Sequence, residues 1–158
     1  MSSEMEPPPT EAELPGLARH VAYEIAMANL GASRLLALGQ PQENGDLVWS
    51  AWVEILLLHS RVLTDFFCRQ PTRDDLSAVH YLPEWDANSE DLVWLDGHVP
   101  EINKRVMHLT AYRDRRQSDG RDVAETIRRL NVVMIRFLEA LPPDSRGWFP
   151  IATPSPPS

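Results

Sequence analysis

The chain contains 158 residues, of which 43% are hydrophobic, and this is enough for one domain with a core of its own but too little for two. Its 15 Lys and Arg residues against 23 Asp and Glu residues give a net charge of −8, which argues against a protein that coats nucleic acid through general electrostatics. The single cysteine, Cys68, excludes an internal disulfide, and no uncharged run approaches about twenty apolar residues, so we expect no membrane span. The acidic, proline-rich N-terminus is unlike a secretory signal, and these features together predict a soluble cytoplasmic protein.

The two ends of the chain differ in composition from the middle. Seven of the fourteen prolines lie in the terminal stretches, which we expect to be extended. We therefore predict a disordered N-terminal tail over residues 1–12, a helical domain over residues 13–142 and a proline-rich C-terminal tail over residues 143–158. Trp148 and Phe149 in this tail either form a motif for a protein partner or fold back onto the domain as a cap.

A first helix is predicted from near Leu14 or Pro15 to about Leu38. Proline is tolerated in a first helical turn, and Gly39 supplies the stop at the other end. Apolar residues follow a helical stripe along the segment, at Leu17, Val21, Ile25, Ala28 and Leu35.

A second helix is predicted over residues 47–68, with Asp46 as its N-cap. Its broad apolar face, with His59 inside it, is predicted to contain Val48, Trp52, Ile55, Leu56, Val62, Leu63 and Phe66. Four polar side chains interrupt this apolar segment, namely Glu54, His59, Arg61 and Asp65. A charge on such a helix is costly to bury without a partner, so these residues predict a second polar segment packed opposite, over residues 103–110.

The second half of the chain is predicted to contain two further long helices. Residues 69–99 are less regular, with a short helix over residues 74–81, and Trp85 and Trp94 are expected to pin this connection to the core. A third helix is predicted to begin at Pro100 and to extend over residues 100–113, and a fourth covers residues 123–141. The predicted fold is all-α, an antiparallel four-helix bundle with an irregular connection between helices 2 and 3.

The order of these elements resembles the HEPN-like helical proteins of prokaryotes, over about residues 17–140. The resemblance is carried by residues 59–67 on the second helix, by the turn at residues 74–75, and by residues 103–104 followed by residues 108–110. It implies a small bacterial domain that forms a homodimer, in a branch of mostly unassigned activity. Catalytic HEPN members are metal-independent ribonucleases of toxin and defence systems, with an arginine and a histidine four to six residues apart on one helix. His108 matches that histidine, but Ile102, Asn103 and Lys104 stand where the arginine is expected, and Arg105 is separated from His108 by only two residues.

The polar residues of helices 2 and 3 support two hypotheses. In the first, His108 is a general acid or base and Arg61 or Lys104 steadies a phosphate, with Asn103, Lys104 and His59 binding an RNA or nucleotide substrate. In the second, the domain is a non-catalytic interaction module, and the same residues form an interhelical network in which Arg61 pairs with Asp65 or Glu54.

Other chemistries are disfavoured by the sequence. The Glu-x-x-His pairs of di-iron bundles are missing, and the five histidines lack the spacing of a zinc site, so no metal or cofactor is predicted. His20 and Glu24 share one helical face, which chance explains adequately. Cys68 follows two phenylalanines at the end of an apolar helix, and this context predicts a small core residue and not a nucleophile.

Overall fold

A computed structural model describes residues 7–41, 47–71, 75–104 and 120–150 of the chain. All regular secondary structure in these ranges is helical. Five α-helices and one short 3₁₀ helix (Ala78–His80) occur there: α1 (Leu14–Leu38), α2 (Leu47–Cys68), α3 (Glu90–Ile102), α4 (Gly120–Ala140) and α5 (Pro143–Arg146). The prediction of an all-α protein is therefore confirmed.

The ends of α1 are set by local chemistry, as predicted. Just before the helix, the Thr10 backbone N–H and hydroxyl both donate to the Glu13 carboxylate, at 2.8 and 2.7 Å, and these bonds hold the pKa of Glu13 below its ordinary value. Pro15 occupies the first turn. At the other end Gly39 has a φ of 71°, a conformation that glycine adopts without strain, and its N–H donates to the carbonyl of Leu35.

α1 and α2 pack closely and run antiparallel. At Gly31 the two backbones are so near that a Cβ added there would lie 3.1 Å from the backbone nitrogen of Leu56. Further along the pair, the Trp49 indole N–H donates to the carbonyl of Gly39 at 3.2 Å, so the start of α2 lies beside the end of α1.

The buried face of α2 is rotated from the predicted one. Val48 and Val62 are exposed, although they were predicted to face the core. Leu56, Leu63 and Phe66 are buried as predicted, and four further apolar residues join them, namely Trp49, Val53, Leu57 and Phe67. This correction has a simple cause: α2 is apolar on nearly every side, so its periodicity does not specify one face.

The third long helix begins ten residues earlier than predicted. α3 starts at Glu90, after Ser89 in the N-cap position, and Pro100 lies inside its last turn and not at its start. The helix is stabilised by a stripe that packs inward, formed by Leu92, Leu95 and Ile102, and this burial outweighs the cost of one proline near the helix end. The short helix predicted over residues 74–81 is reduced to Ala78–His80 in the described residues.

α4 and the segment that follows it complete the core. Every member of the predicted α4 stripe is buried: Val123, Ile127, Leu130, Met134, Phe137 and Leu141. Residues 143–149 do not extend away as a tail, because α5 is helical and Phe149, 5% exposed, packs edge-on against Phe137 and Tyr81. Of the two alternatives for Trp148 and Phe149, the fold-back is the one observed, and the folded body extends beyond residue 142 to Phe149.

Trp85 pins the connection between α2 and α3 to the core, as predicted, whereas Trp94 lies within α3, because that helix begins at Glu90. The Trp85 indole N–H donates to the carbonyl of Phe67 at 2.9 Å, and the guanidinium of Arg136 lies 4.3 Å from the ring centre. Trp94 stacks on His98 at 3.7 Å between ring centres, and the guanidinium of Arg129 lies 5.2 Å from the centre of the Trp94 ring.

Among the described helices, α2 is long and apolar enough to cross a membrane by length and composition alone. The core helix of a soluble protein meets the same criterion, and α2 buries Ser60 and Thr64 between its neighbours. The expectation that no segment spans a membrane therefore stays a prediction.

Candidate functional site

The four polar residues of α2 point in different directions and do not form one cluster. His59 is buried toward α1, Arg61 is half-buried, and Glu54 is exposed. Asp65 forms an ion pair with Arg69 of the same helix at 3.0 Å, so the predicted pairing of Asp65 with Arg61 is not the one observed. The structure thus separates a set that looked continuous in the sequence.

His59 is held by a carboxylate on α1. Its Nδ1 lies 2.6 Å from Oε2 of Glu24, and because an ionised carboxylate only accepts, the imidazole Nδ1–H donates. His59 is 8% exposed, and the ring of Tyr23 packs edge-on against it at 5.9 Å between centres. A buried imidazole N–H without an acceptor would destabilise the fold, and this interhelical bond supplies the acceptor. Glu24 is the partner that the sequence interpretation missed, and its only signal was its place beside the apolar stripe of α1.

Arg61 lies on the side of α2 that faces α3. Leu57, one turn earlier, lines a small cavity together with Ile102 of α3, and Cys68, seven residues later, has its Sγ 3.8 Å from the carbonyl of Leu92. Helical spacing of four and seven residues places Arg61 on that same side. These contacts also show that α3 runs antiparallel to α2.

Five buried polar side-chain atoms of the described residues have no hydrogen-bond partner; three lie elsewhere, on Ser77, Ser89 and Arg136, and two are in this region. These two are Nε of Arg61, a donor, and Oδ1 of Asn103, an acceptor, at the C-terminal end of α3. Lys104, the next residue, is exposed. His108, the predicted general acid or base, lies outside the described residues.

A small cavity lies between α2, α3 and α4. Its volume is about 20 Å³, which is room for one water molecule. Polar groups from two helices reach it, including His98 and Glu101 on α3 and Asp122 and Thr126 on α4. His98 Nδ1 is already bonded to the carbonyl of Trp94 at 2.7 Å, which fixes the ring within its helix.

A larger groove of about 330 Å³ runs along α1 and α2. Its floor is apolar, with Leu63 and Phe66 among the lining residues, and its rim carries charged and polar groups. The rim residues are His20, Glu24, Asp65, Arg69 and Asp75. Glu24 is engaged by His59 and Asp65 by Arg69, so much of this charge is already compensated. In the part of the chain that the structure describes, no group of three or more histidine, cysteine or acidic side chains is arranged to hold a metal ion.

Cys68 is a free, half-buried thiol at the junction of α2 and α3. Burial raises its pKa to about 12, and the negative charges of Asp96 and Asp65 act in the same direction. The thiolate is the nucleophilic form of cysteine, so this environment opposes nucleophilic chemistry at neutral pH.

Comparison of the chain with protein-family models, with curated proteins and with solved structures finds no match.

Proposed function

We propose that this protein is an HEPN-like four-helix bundle that acts on RNA or a nucleotide, with its site at the end of α3. Arg61, Asn103, Lys104 and His108 are the residues assigned to it. The proposal rests on the resemblance of residues 59–67 and 103–110 to that family and on two buried polar atoms that have no hydrogen-bond partner among the described residues.

The observation that carries the proposal is the pair of unsatisfied atoms on α2 and α3. Folded proteins pair the large majority of their buried polar atoms, because an orphaned donor or acceptor costs about 1–3 kcal/mol. Among the described residues, Arg61 Nε and Asn103 Oδ1 have no such partner. A site that binds an anion through the arginine, and a hydroxyl or amino group through the amide, accounts for both atoms.

The chemistry assigned to the site is cleavage at a ribose 2′-hydroxyl. Histidine is a common general base in proteins, so His108 is assigned to remove the 2′-hydroxyl proton as the oxygen attacks the adjacent phosphorus. The bond from phosphorus to the 5′-oxygen breaks, and this oxygen takes up a proton as it leaves. Arg61 and Lys104 stabilise the negative charge on the phosphate. In this scheme the guanidinium comes from α2, and it replaces the motif arginine that residues 102–104 lack.

The distribution of charge fits a local RNA contact. The whole chain carries a net charge of −8, but from Lys104 to Arg121 there are six basic residues against two acidic ones. A basic segment on an acidic protein favours binding through a few phosphate contacts. The same basic residues also suit the C-terminal end of a helix, where positive charges are favoured.

The test is incubation of the purified protein with a mixed RNA pool in the presence of a metal chelator. The wild-type chain should cleave RNA, and His108→Ala should not. Arg61→Gln should reduce cleavage at least tenfold, whereas the exposed Arg19→Ala should leave it unchanged, because Arg19 lies on α1 and its Nε–H donates to the carbonyl of Gly16 in that helix. Absence of cleavage by the wild-type chain, or full activity of His108→Ala, would contradict the proposal.

A second candidate function is a non-catalytic helical interaction module, and the pair of His59 with Glu24 favours it. His59 is buried, Glu24 is half-buried, and the two are bonded to each other, while the hydroxyls of Ser60 and Thr64 donate to carbonyls of their own helix at 2.6 and 2.7 Å. The bond of His59 with Glu24 joins two helices and so specifies their register, and these polar groups need no ligand to satisfy them. If the parent never cleaves RNA and His108→Ala unfolds far below it, the module is the better description.

The resemblance also implies a homodimer in the bacterial cytoplasm, and the proline-rich end of the chain is proposed as a contact for a protein partner. Sedimentation of the purified protein tests the first proposal. Loss of a captured partner on deletion of residues 151–158 tests the second.

A further inference from the structure

The groove between α1 and α2 has the size and the lining of a site for a small ligand. Its volume of about 330 Å³ lies at the lower end of the range for ligand pockets, which is about 300–1,000 Å³. Apolar side chains from both helices and from the connection that follows α2 form its floor, namely Val21, Val62, Leu63, Phe66 and Leu76. The hydrocarbon or ring portion of a ligand would leave water when it contacts this floor, and that transfer favours binding.

The polar side chains around the floor have an excess of negative charge. Glu24, Asp65 and Asp75 contribute three carboxylates to the lining. The guanidinium of Arg69 compensates one of these charges, so the lining residues keep a formal charge of −2 with histidine neutral. Arg69 is itself 58% exposed, so water screens its ion pair with Asp65. The groove therefore favours a cation over an anion.

Two of the carboxylates, one on each helix, have an oxygen available for a ligand. Glu24 on α1 uses Oε2 for His59, and Asp65 on α2 uses Oδ1 for Arg69. Within the described ranges, the second oxygen of each group, Oε1 of Glu24 and Oδ2 of Asp65, receives no hydrogen bond. The two side chains are 23% and 26% exposed, so water screens an ion bonded to them only in part.

From these observations we propose that the groove binds a small amphipathic amine, a molecule with one primary ammonium group and a compact hydrocarbon or ring portion. An ammonium has three N–H donors, enough to bond the available oxygens of Glu24 and Asp65 while the rest of the molecule lies on the apolar floor. An anion would be repelled by the net charge, and a neutral ligand would leave both oxygens without a charged donor. Of the residues assigned to the RNA-directed site, Arg61, Asn103 and Lys104 do not line the groove, so this proposal is independent of that one.

An NMR titration of the ¹⁵N-labelled chain with 2-phenylethylammonium chloride tests the proposal. The shifts of the backbone amides should saturate with a dissociation constant on the order of 0.1–1 mM, as expected for a ligand of this size. They should be largest over residues 20–24, 62–69 and 75–76, which line the groove. 2-Phenylethanol has nearly the same shape without the charge and should bind at least about tenfold more weakly.

Two substitutions separate the charge of the groove from its shape. Asp65→Asn removes one carboxylate and should weaken binding of the amine about tenfold, whereas Glu139→Gln, at an exposed position on α4, is the matched control and should not change it. Val62→Trp fills the groove from a position that is 39% exposed, so it should abolish binding while the circular dichroism of the helices is retained. Val93→Trp, at an exposed position on α3, is the control for added bulk.

The outcomes that overturn the proposal differ in what they exclude. The absence of a saturable shift up to about 10 mM amine, or shifts confined to residues outside the groove, would exclude the site. Equal binding of 2-phenylethanol, or unchanged binding by Asp65→Asn, would overturn the assignment of a cation, because the carboxylates would then play no part. Tighter binding of Nα-acetyl-lysine methylamide than of 2-phenylethylammonium would assign the groove to a lysine side chain of a protein and so overturn the choice of a free amine.

Discussion

The pair of His59 with Glu24 makes a quantitative prediction about the role of the polar residues in α2. The two side chains are 11% and 23% exposed, and their atoms are 2.6 Å apart, so solvent screens the interaction only in part. Hydrogen bonds that involve a charged group contribute about 1.5–3 kcal/mol each. We expect Glu24→Gln to lower the free energy of unfolding by about 2 kcal/mol, which is a fall in Tm of about 4–8 °C for a chain of this size.

A double-mutant cycle separates this bond from other effects of the substitutions. Urea unfolding would be measured for the wild-type chain, Glu24→Gln, His59→Gln and the double variant. The coupling energy between the two sites should be at least about 1 kcal/mol, because neither Gln variant can form the charge-assisted bond between carboxylate and imidazole, but only a weaker one through its neutral amide. Glu139→Gln, an exposed glutamate on α4, is the control and should change stability by less than about 0.5 kcal/mol.

The outcome decides what the polar residues of α2 do. A coupling energy below about 0.3 kcal/mol would refute the reasoning, since the bond would then contribute nothing that the solvent does not replace. A strong coupling together with unchanged RNA cleavage by Glu24→Gln would mark His59 as structural. The candidate site would then be confined to Arg61 and the end of α3.

Three further predictions concern packing and titration. Gly31→Ala should destabilise the chain by about 1–2 kcal/mol, because the added Cβ would lie 3.1–3.2 Å from Leu56. In the same helix, the Cβ of Gly16→Ala would meet nothing within 4 Å, and this variant should be more stable by up to about 1 kcal/mol. Chemical denaturation of the two variants measures these opposite changes. The thiol of Cys68 should react with a disulfide reagent at pH 8 on the order of a hundredfold more slowly in the native chain than in urea, and equal rates would count against the burial described. Because folding raises the pKa of this thiol from 9.0 to about 12, its contribution to stability is complete below pH 9 and is lost as the pH rises toward 12. Cys68→Ala should reduce that loss. Phe149→Ala should lower the free energy of unfolding by about 3 kcal/mol if residues 143–149 belong to the core, and a change below about 0.5 kcal/mol would mean that they do not.

Much of the helical framework could be predicted because its signals are local. The start of α1 at Leu14 and its end before Gly39 depend on residues within one helical turn, and the stripe of α4 repeats at the helical period over six buried positions. The start of α3 could not be found in this way. Pro100 is a good first-turn residue, but the burial of Leu92 and Leu95 against the rest of the fold extends the helix ten residues upstream of it.

The candidate site was predictable in its residue types but not in its pairings. An apolar helix that carries His59 and Arg61 requires polar partners, and this much follows from the cost of burying unsatisfied groups. The partner of His59 proved to be Glu24, 35 residues away on α1, and Asp65 pairs within its own helix and not with Arg61. No local rule connects two residues so far apart in the chain.

The sequence by itself determined an all-helical chain, the positions of α1, α2 and α4, and the need for partners to the polar groups of α2, because periodicity, caps and burial costs act within a few turns of one helix. Only the tertiary structure decided which side of α2 faces the core, because an almost wholly apolar helix has no preferred side until Gly31 lets α1 approach it. That choice buries His59 against Glu24, places Arg61 beside α3 and leaves Val48, Leu58 and Val62 exposed. Each of these features depends on the rotation of one helix among its neighbours, which contacts distant in the sequence determine.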